Sequence, residues 1–174
     1  MVVQAIPSHS LVRYGVIPEV ARCQSESTVP RGTAVVVETH RGLQIGTVLG
    51  PAKSQPADGD GGSAFRVLRV ASADDLARSA ASRDAIDAEF DAWQARIVDW
   101  NVDVQLIDLE WTLDRAKVVL YVLNDRGPEC TKLAIQAAAA GLGIVDVQPV
   151  SREGLVAMPD SGGGCGSGGC GCHN

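Results

Sequence analysis

The chain has 174 residues, 45% hydrophobic and only 4% aromatic, and 15 Lys and Arg against 21 Asp and Glu leave a net charge of −6. Such a composition can bury a core and excludes wholesale disorder, and the acidic balance argues against a protein whose main work is wrapping nucleic acid, while leaving direct nucleic-acid contact through a local basic patch open. The start lacks the charged-then-apolar order of a signal peptide and the longest apolar run, residues 118–123, is too short to cross a bilayer, so a soluble cytoplasmic protein without membrane insertion is expected.

The first elements are strands. Residues 33–39 and 43–49 alternate β-branched with polar side chains around His40-Arg41-Gly42, which reads as a hairpin with a three-residue loop and Gly42 in its left-handed position. Residues 11–17 and 20–24 can pair around it, and Gly46 reads as a bulge. A small antiparallel β-subdomain or partial barrel over residues 1–51 is expected, followed by a linker at 52–64, where Pro, Asp, Gly and Ser replace any apolar period.

Residues 65–71 alternate again as a strand, and Ser72 with Asp75 three positions on forms the start of a capping box. Ile86, Phe90, Trp93, Ile97 and Trp100 recur in steps of four and three, the stripe of one helix over 73–100, with Asp87, Glu89, Asp91 and Asp99 facing water. Strands at 104–111 and 117–123 flank a turn at Asp114-Arg115, and the unbroken apolar run in the second implies a strand covered on both faces. Gly127-Pro128 opens another helix, Gly141 or Gly143 closes it, and residues 144–150 form the last strand. Counted from residue 65 the order is β-α-β-β-α-β. The expected fold class is therefore α+β, with the β-subdomain followed by a ferredoxin-like domain at 65–150.

Residues 151–174 lead into a tail in which the last thirteen residues hold seven Gly and three Cys. It offers no apolar core, but Cys165, Cys170 and Cys172 are thiolates at Cys-x4-Cys-x-Cys spacing on a glycine chain that can fold round one soft metal. Zinc would take them with His173 as a fourth, tetrahedral ligand. An iron–sulfur cluster, [4Fe–4S] among its forms, would want a further thiolate from Cys130, Cys23 or a partner chain. The alternatives are a metal carrier, or a thiol-redox protein in which neighbouring tail cysteines exchange disulfides. The G-x-G-x-x-G matches at 164–169 and 166–171 are no phosphate loop, since no helix can follow them.

Elsewhere the chemistry is thinner. Asp108 and Glu110 share a strand face, which reads as a solvated polar edge, and His9 and His40 read as loop residues. The three tryptophans read as core. Cys23 and Cys130 read as small buried hydrophobes, with Cys130 beside a helix start that would lower its pKa. No Ser/His/Asp or Cys/His constellation assembles, and no catalytic residue is assigned.

Tyr14-Gly-Val, the V-E-T-x-R-G-x-x-x-G hairpin from Val37 to Gly46, the segment from Arg69 to Leu76, and the strand and turn from Ile107 to Asp114 before Tyr121 together resemble the polymerase suppressor protein (PSP) C-terminal domain family. Its bacterial members are typified by YaaT-type, Ric-complex regulators of sporulation, competence and biofilm formation. The resemblance implies a non-enzymatic accessory factor in RNA metabolism, with other Ric-type subunits and ribonuclease Y as protein partners and an iron–sulfur cluster on C-terminal cysteines. The family's Cys-Gly-x-x-x-Cys-Cys motif meets Cys165-Gly166 and Cys170 here, but Gly171 is inserted before Cys172 and His173 is added. The hairpin tip, His40 and Arg41, sits in the best-matching stretch and is expected to be exposed, which makes it a candidate partner contact.

Overall fold

In the computed structural model, which describes residues 8–52, 65–124 and 127–156, the first four strands are β1 (Ser8–Tyr14), β2 (Glu19–Ser25), β3 (Ala34–Thr39) and β4 (Gly42–Pro51). Their alternating patterns turn Val12, Tyr14, Cys23, Val35, Val37 and Val48 inward onto one small core. β1 closes on both β2 and β4. Gly46 is not the expected bulge. It pairs in register with Val35, and a Cβ there would stand 2.5 Å from Val12 Cγ1, so glycine lets the two strands approach; the register shift lies instead between Leu11 and Val12. The hairpin loop is also shorter than expected, because Thr39 pairs with Gly42 and only His40 and Arg41 turn the chain.

The next strand, β5 (Phe65–Val70), departs from the ferredoxin-like expectation. Instead of opening a second sheet it inserts between β2, in parallel, and β3, antiparallel, and completes a closed barrel of order β1-β2-β5-β3-β4. Without it, β2 and β3 would each expose a strand edge, and closure removes both. Phe65 joins the barrel core and meets Tyr14 edge-on at 6.0 Å between ring centroids.

Arg69 at the end of β5 holds the start of α1 (Ala73–Asp84). Its guanidinium grips both oxygens of Asp75, whose side chain is 1% exposed and which also accepts from Arg78 at 2.6 Å. Ser72 and Asp75 form the expected capping box. Arg69 first, and then Ser72, hold the Asp75 carboxyl well below the usual carboxylate range. The single expected helix is broken at Ala85 into α1 and α2 (Ile86–Asp99). α1 touches both β4 of the barrel and β6 of the second sheet, whereas α2 sets Trp93 and Ile97 into the core of the second sheet.

That sheet has the order β6 (Gln105–Trp111), β7 (Lys117–Leu123), β8 (Ile144–Ser151) and β9 (Gly154–Leu155), the last a short strand absent from the sequence reading. β6 and β7 are antiparallel about the Asp114-Arg115 turn, where Thr112 Oγ1 donates to Asp114 Oδ1 at 2.6 Å and Ala116 N to the same oxygen at 3.1 Å. β7 and β8 are parallel neighbours linked through α3 (Pro128–Ala139), with no slot between them for another strand. As expected, β7 is covered on both faces. Val118, Leu120 and Val122 meet α2 and α3 in the main core, while Val119 and Tyr121 face Val16 and Ile17 from the β1–β2 turn. Most of the proposed linker, residues 53–64, and most of the proposed tail, residues 157–174, fall outside the described residues.

Candidate functional site

Where the barrel meets the second sheet, a set of polar side chains is shut away from water. Arg41 is 1% exposed, which corrects its placement on an exposed hairpin tip. The two-residue loop tucks it inward: its backbone N–H donates to Thr39 Oγ1 at 3.1 Å, and the guanidinium lies between the rings of Tyr14 and Tyr121, 6.0 and 5.6 Å from their centroids. Nη2 donates to Glu19 Oε2 at 2.5 Å and Nη1 to the Tyr121 hydroxyl at 2.9 Å. His40, by contrast, remains exposed and rests against Phe65, with 5.5 Å between ring centroids. Partial burial, and then the Arg41 charge, lower its pKa.

Glu110 is the second carboxylate of this cluster beside Glu19. It is 8% exposed and is not part of a solvated edge. Its Oε1 accepts from the Tyr121 hydroxyl at 2.5 Å and from Gln44 Nε2 at 2.7 Å, and lies 4.0 Å from Arg41 Nη1. Oε2 accepts the backbone N–H of Val16 at 2.8 Å. Asp108, its presumed companion, accepts only from the neighbouring Leu109 N–H at 2.7 Å among the described residues. The backbone closes the junction further, since Leu113 N donates to Leu43 O at 2.8 Å. Gly15 and Gly42 adopt φ of +81° and +115°, and a Cβ on Gly42 would stand 2.9 Å from Thr112 Cγ2.

Burial first, then the neighbouring carboxylates, push the phenols of Tyr14 and Tyr121 far above their usual range. Each keeps its proton, and each charged head is matched by a partner of the cluster. The arrangement ties the barrel strands to the second sheet. A small cleft of about 170 Å³ lies beside it, lined by Gln44 and Glu110 with Ser79, Ser82 and Arg83 of α1.

The comparisons with known proteins place this clasp. A model of the PSP1 C-terminal conserved region matches residues 65–127, which span β5, both α1 and α2, and the β6–β7 hairpin. Residues 65–127 are thus similar to the PSP1 C-terminal region. The Stage 0 sporulation protein YaaT of Bacillus subtilis (strain 168) is 33% identical over 98 residues, which are 56% of this chain and 35% of that protein. The chain thus matches about a third of its relative's length, and no solved structure matches. Glu110 and Tyr121 lie in the matched stretch and bond to Gln44 and Arg41 of β4 and the β3–β4 turn, so this stretch both supplies barrel strand β5 and joins the second sheet to the barrel.

Of the residues expected to form a site, Cys165, Cys170, Cys172 and His173 lie outside the described residues. Among the described residues no three His, Cys, Asp or Glu side chains gather as a metal site, and no helix is long and apolar enough to cross a membrane. Cys23 is fully buried in the barrel, and burial pushes its thiol up to about 11. Cys130 is 8% exposed in the core beneath α3. The sequence reading missed Glu19 and Gln44 and discounted Glu110. A signal was available in Tyr121, a polar hydroxyl inside the apolar run of β7, in a segment that also carries the family resemblance.

Proposed function

We propose that the chain is a non-catalytic accessory protein of the cytoplasm that regulates by binding other proteins and carries a soft metal centre on its C-terminal cysteines. The observation that carries this reading is the clasp. Arg41, Glu110, Tyr121 and Gln44 bond to one another in joining the barrel to the second sheet, with only Arg41 Nε left unpaired among them, and the tail carries the sequence's dense set of soft ligands. The similarity to a sporulation protein supports a regulatory role. The family resemblance adds Ric-type subunits and ribonuclease Y as candidate partners.

The donor chemistry fits the metal. Cys165, Cys170, Cys172 and His173 complete a tetrahedral zinc set by themselves. They also supply three thiolates of a [4Fe–4S] cluster, and the deep burial of Cys23 in the barrel favours His173 or a partner's thiolate for the fourth position over that residue. When bound, the cluster would give the tail an oxygen- and redox-sensitive crosslink, and zinc a redox-silent one. Anaerobic purification with an absorption spectrum, iron, sulfide and zinc analysis tests this. Metal near one equivalent of site, lost when Cys165, Cys170 or Cys172 is changed to Ser and retained in Cys23→Ser, is the expected result. Full metal content in all three tail variants, or none in the wild type, would overturn it.

A further inference from the structure

Between the second half of α2 and the entry to β6 the surface opens into a groove of about 620 Å³. Ala95 and Val98 of α2 form one wall, and Val104 and Leu106 the other. Val98 is 76% exposed although its neighbour Ile97 is 5% exposed, because Asp91, Ala95 and Val98 follow a second helical stripe beside the one spent on the sheet core. Ile107, one residue beyond Leu106, is 41% exposed. The rim is acidic. Asp91 and Asp99 line the groove, and no Lys or Arg of the described residues pairs with either, whereas Asp75, Glu89, Glu129 and Asp146 each have a cation.

β6 is an outer strand of its sheet, yet it is a poor template for an added strand. Its register shifts between Leu106 and Asp108, and the Leu109 N–H is already capped by the Asp108 carboxylate at 2.7 Å. A bulged edge with a capped donor cannot continue a ladder. An apolar trough with unpaired carboxylates on its rim fits instead a helix whose apolar stripe is flanked by cations.

We propose that the α2–β6 groove docks an amphipathic helix of a partner protein, its apolar stripe on Val98 and Val104 and its Lys or Arg flanks against Asp91 and Asp99. This rests on the accessory reading above and names the surface and the chemistry of the partner. Rim charges act mainly on encounter rate and salt dependence, and the apolar stripe on residence.

The probe is a synthetic amphipathic helical peptide with Leu at i, i+3, i+4 and i+7 and Lys flanks, together with a twin carrying Glu flanks, titrated into the full chain and followed by amide resonances. The Lys peptide should shift residues 91–99 and 104–106, bind at least about tenfold more weakly at high than at low salt, and lose about fivefold or more in Val98→Ser. Asp91→Lys with Asp99→Lys should transfer preference to the Glu twin, while the control Asp84→Lys with Asp87→Lys should not. Melting curves establish that each variant is folded. Absence of binding, equal loss in the control variant, shifts centred on another face, or self-association through the groove that excludes the peptide would overturn the proposal. Any of those results with metal still bound to the tail would remove this groove and leave the accessory reading standing.

Discussion

Replacing Arg41 by Ala would ordinarily be read as a surface change at a hairpin tip, worth less than about 0.5 kcal/mol. The structure makes it a core mutation. Removing one member of a buried ion pair costs about 3–5 kcal/mol because the partner charge is left in a poor solvent. Two features moderate that figure: Glu19 is 28% exposed and can rehydrate, and Glu110 keeps Tyr121, Gln44 and the Val16 N–H. Lost contact with two tyrosine rings returns about 1 kcal/mol. A loss of about 3 kcal/mol is therefore expected, a large share of the roughly 5–15 kcal/mol that a domain commands. Urea unfolding measures it as a fall in midpoint at constant slope. All three tryptophans pack in the core of the second sheet, so tryptophan fluorescence reports that unit while far-UV circular dichroism reports both. If the clasp couples them, the two transitions coincide in the wild type and separate in the variant. A loss under about 0.5 kcal/mol with both transitions unchanged would refute the buried role of Arg41.

Both tyrosines of the chain, Tyr14 and Tyr121, are buried with phenols raised above the ordinary value of 10.0. Above that value the unfolded state loses phenolic protons that the folded state keeps, so stability should fall as pH rises past about 10. Phenolate absorbance should appear together with loss of circular dichroism; phenolate formation in the folded protein at pH 10–11 would contradict the burial. Gly46→Ala places a Cβ 2.5 Å from Val12 Cγ1 where β1 closes on β4, and a destabilisation of about 1–3 kcal/mol is expected by thermal melting. An unchanged melting temperature would mean that the barrel seam yields freely.

Much of the second unit was legible because its signals are local. The Ser72–Asp75 cap, the Trp93–Ile97 stripe, the Asp114-Arg115 turn and the proline at the start of α3 each depend on residues a few positions apart. The doubly covered β7 was legible from its unbroken apolar run. Barrel closure was not. β5 touches β2 through only two register pairs, across a connection of some forty residues, and alternation alone cannot say which sheet a strand joins. The break at Ala85 has no Gly or Pro to announce it, and Ala85 keeps helical dihedrals with long bonds of 3.3 and 3.4 Å on either side of it. Arg41 was misplaced for a similar reason: a short hairpin exposes its tip unless something covers it, and here Glu110 and Tyr121 arrive 69 and 80 residues later in the chain. In this chain the Arg41 of that hairpin serves the joint to the second sheet, while His40 beside it stays exposed.

The claim that this joint is one cooperative unit is tested most directly by a double-mutant cycle on Arg41→Ala and Glu110→Gln, read as unfolding free energies. Arg41→Ala strands the Glu110 carboxylate 8% exposed without its nearest cation, and Glu110→Gln removes that stranded charge. The double variant should therefore be more stable than the sum of the two single losses predicts, by about 1–2 kcal/mol. Additivity within about 0.3 kcal/mol would show that the barrel arginine and the strand glutamate act independently, and the clasp would be contradicted.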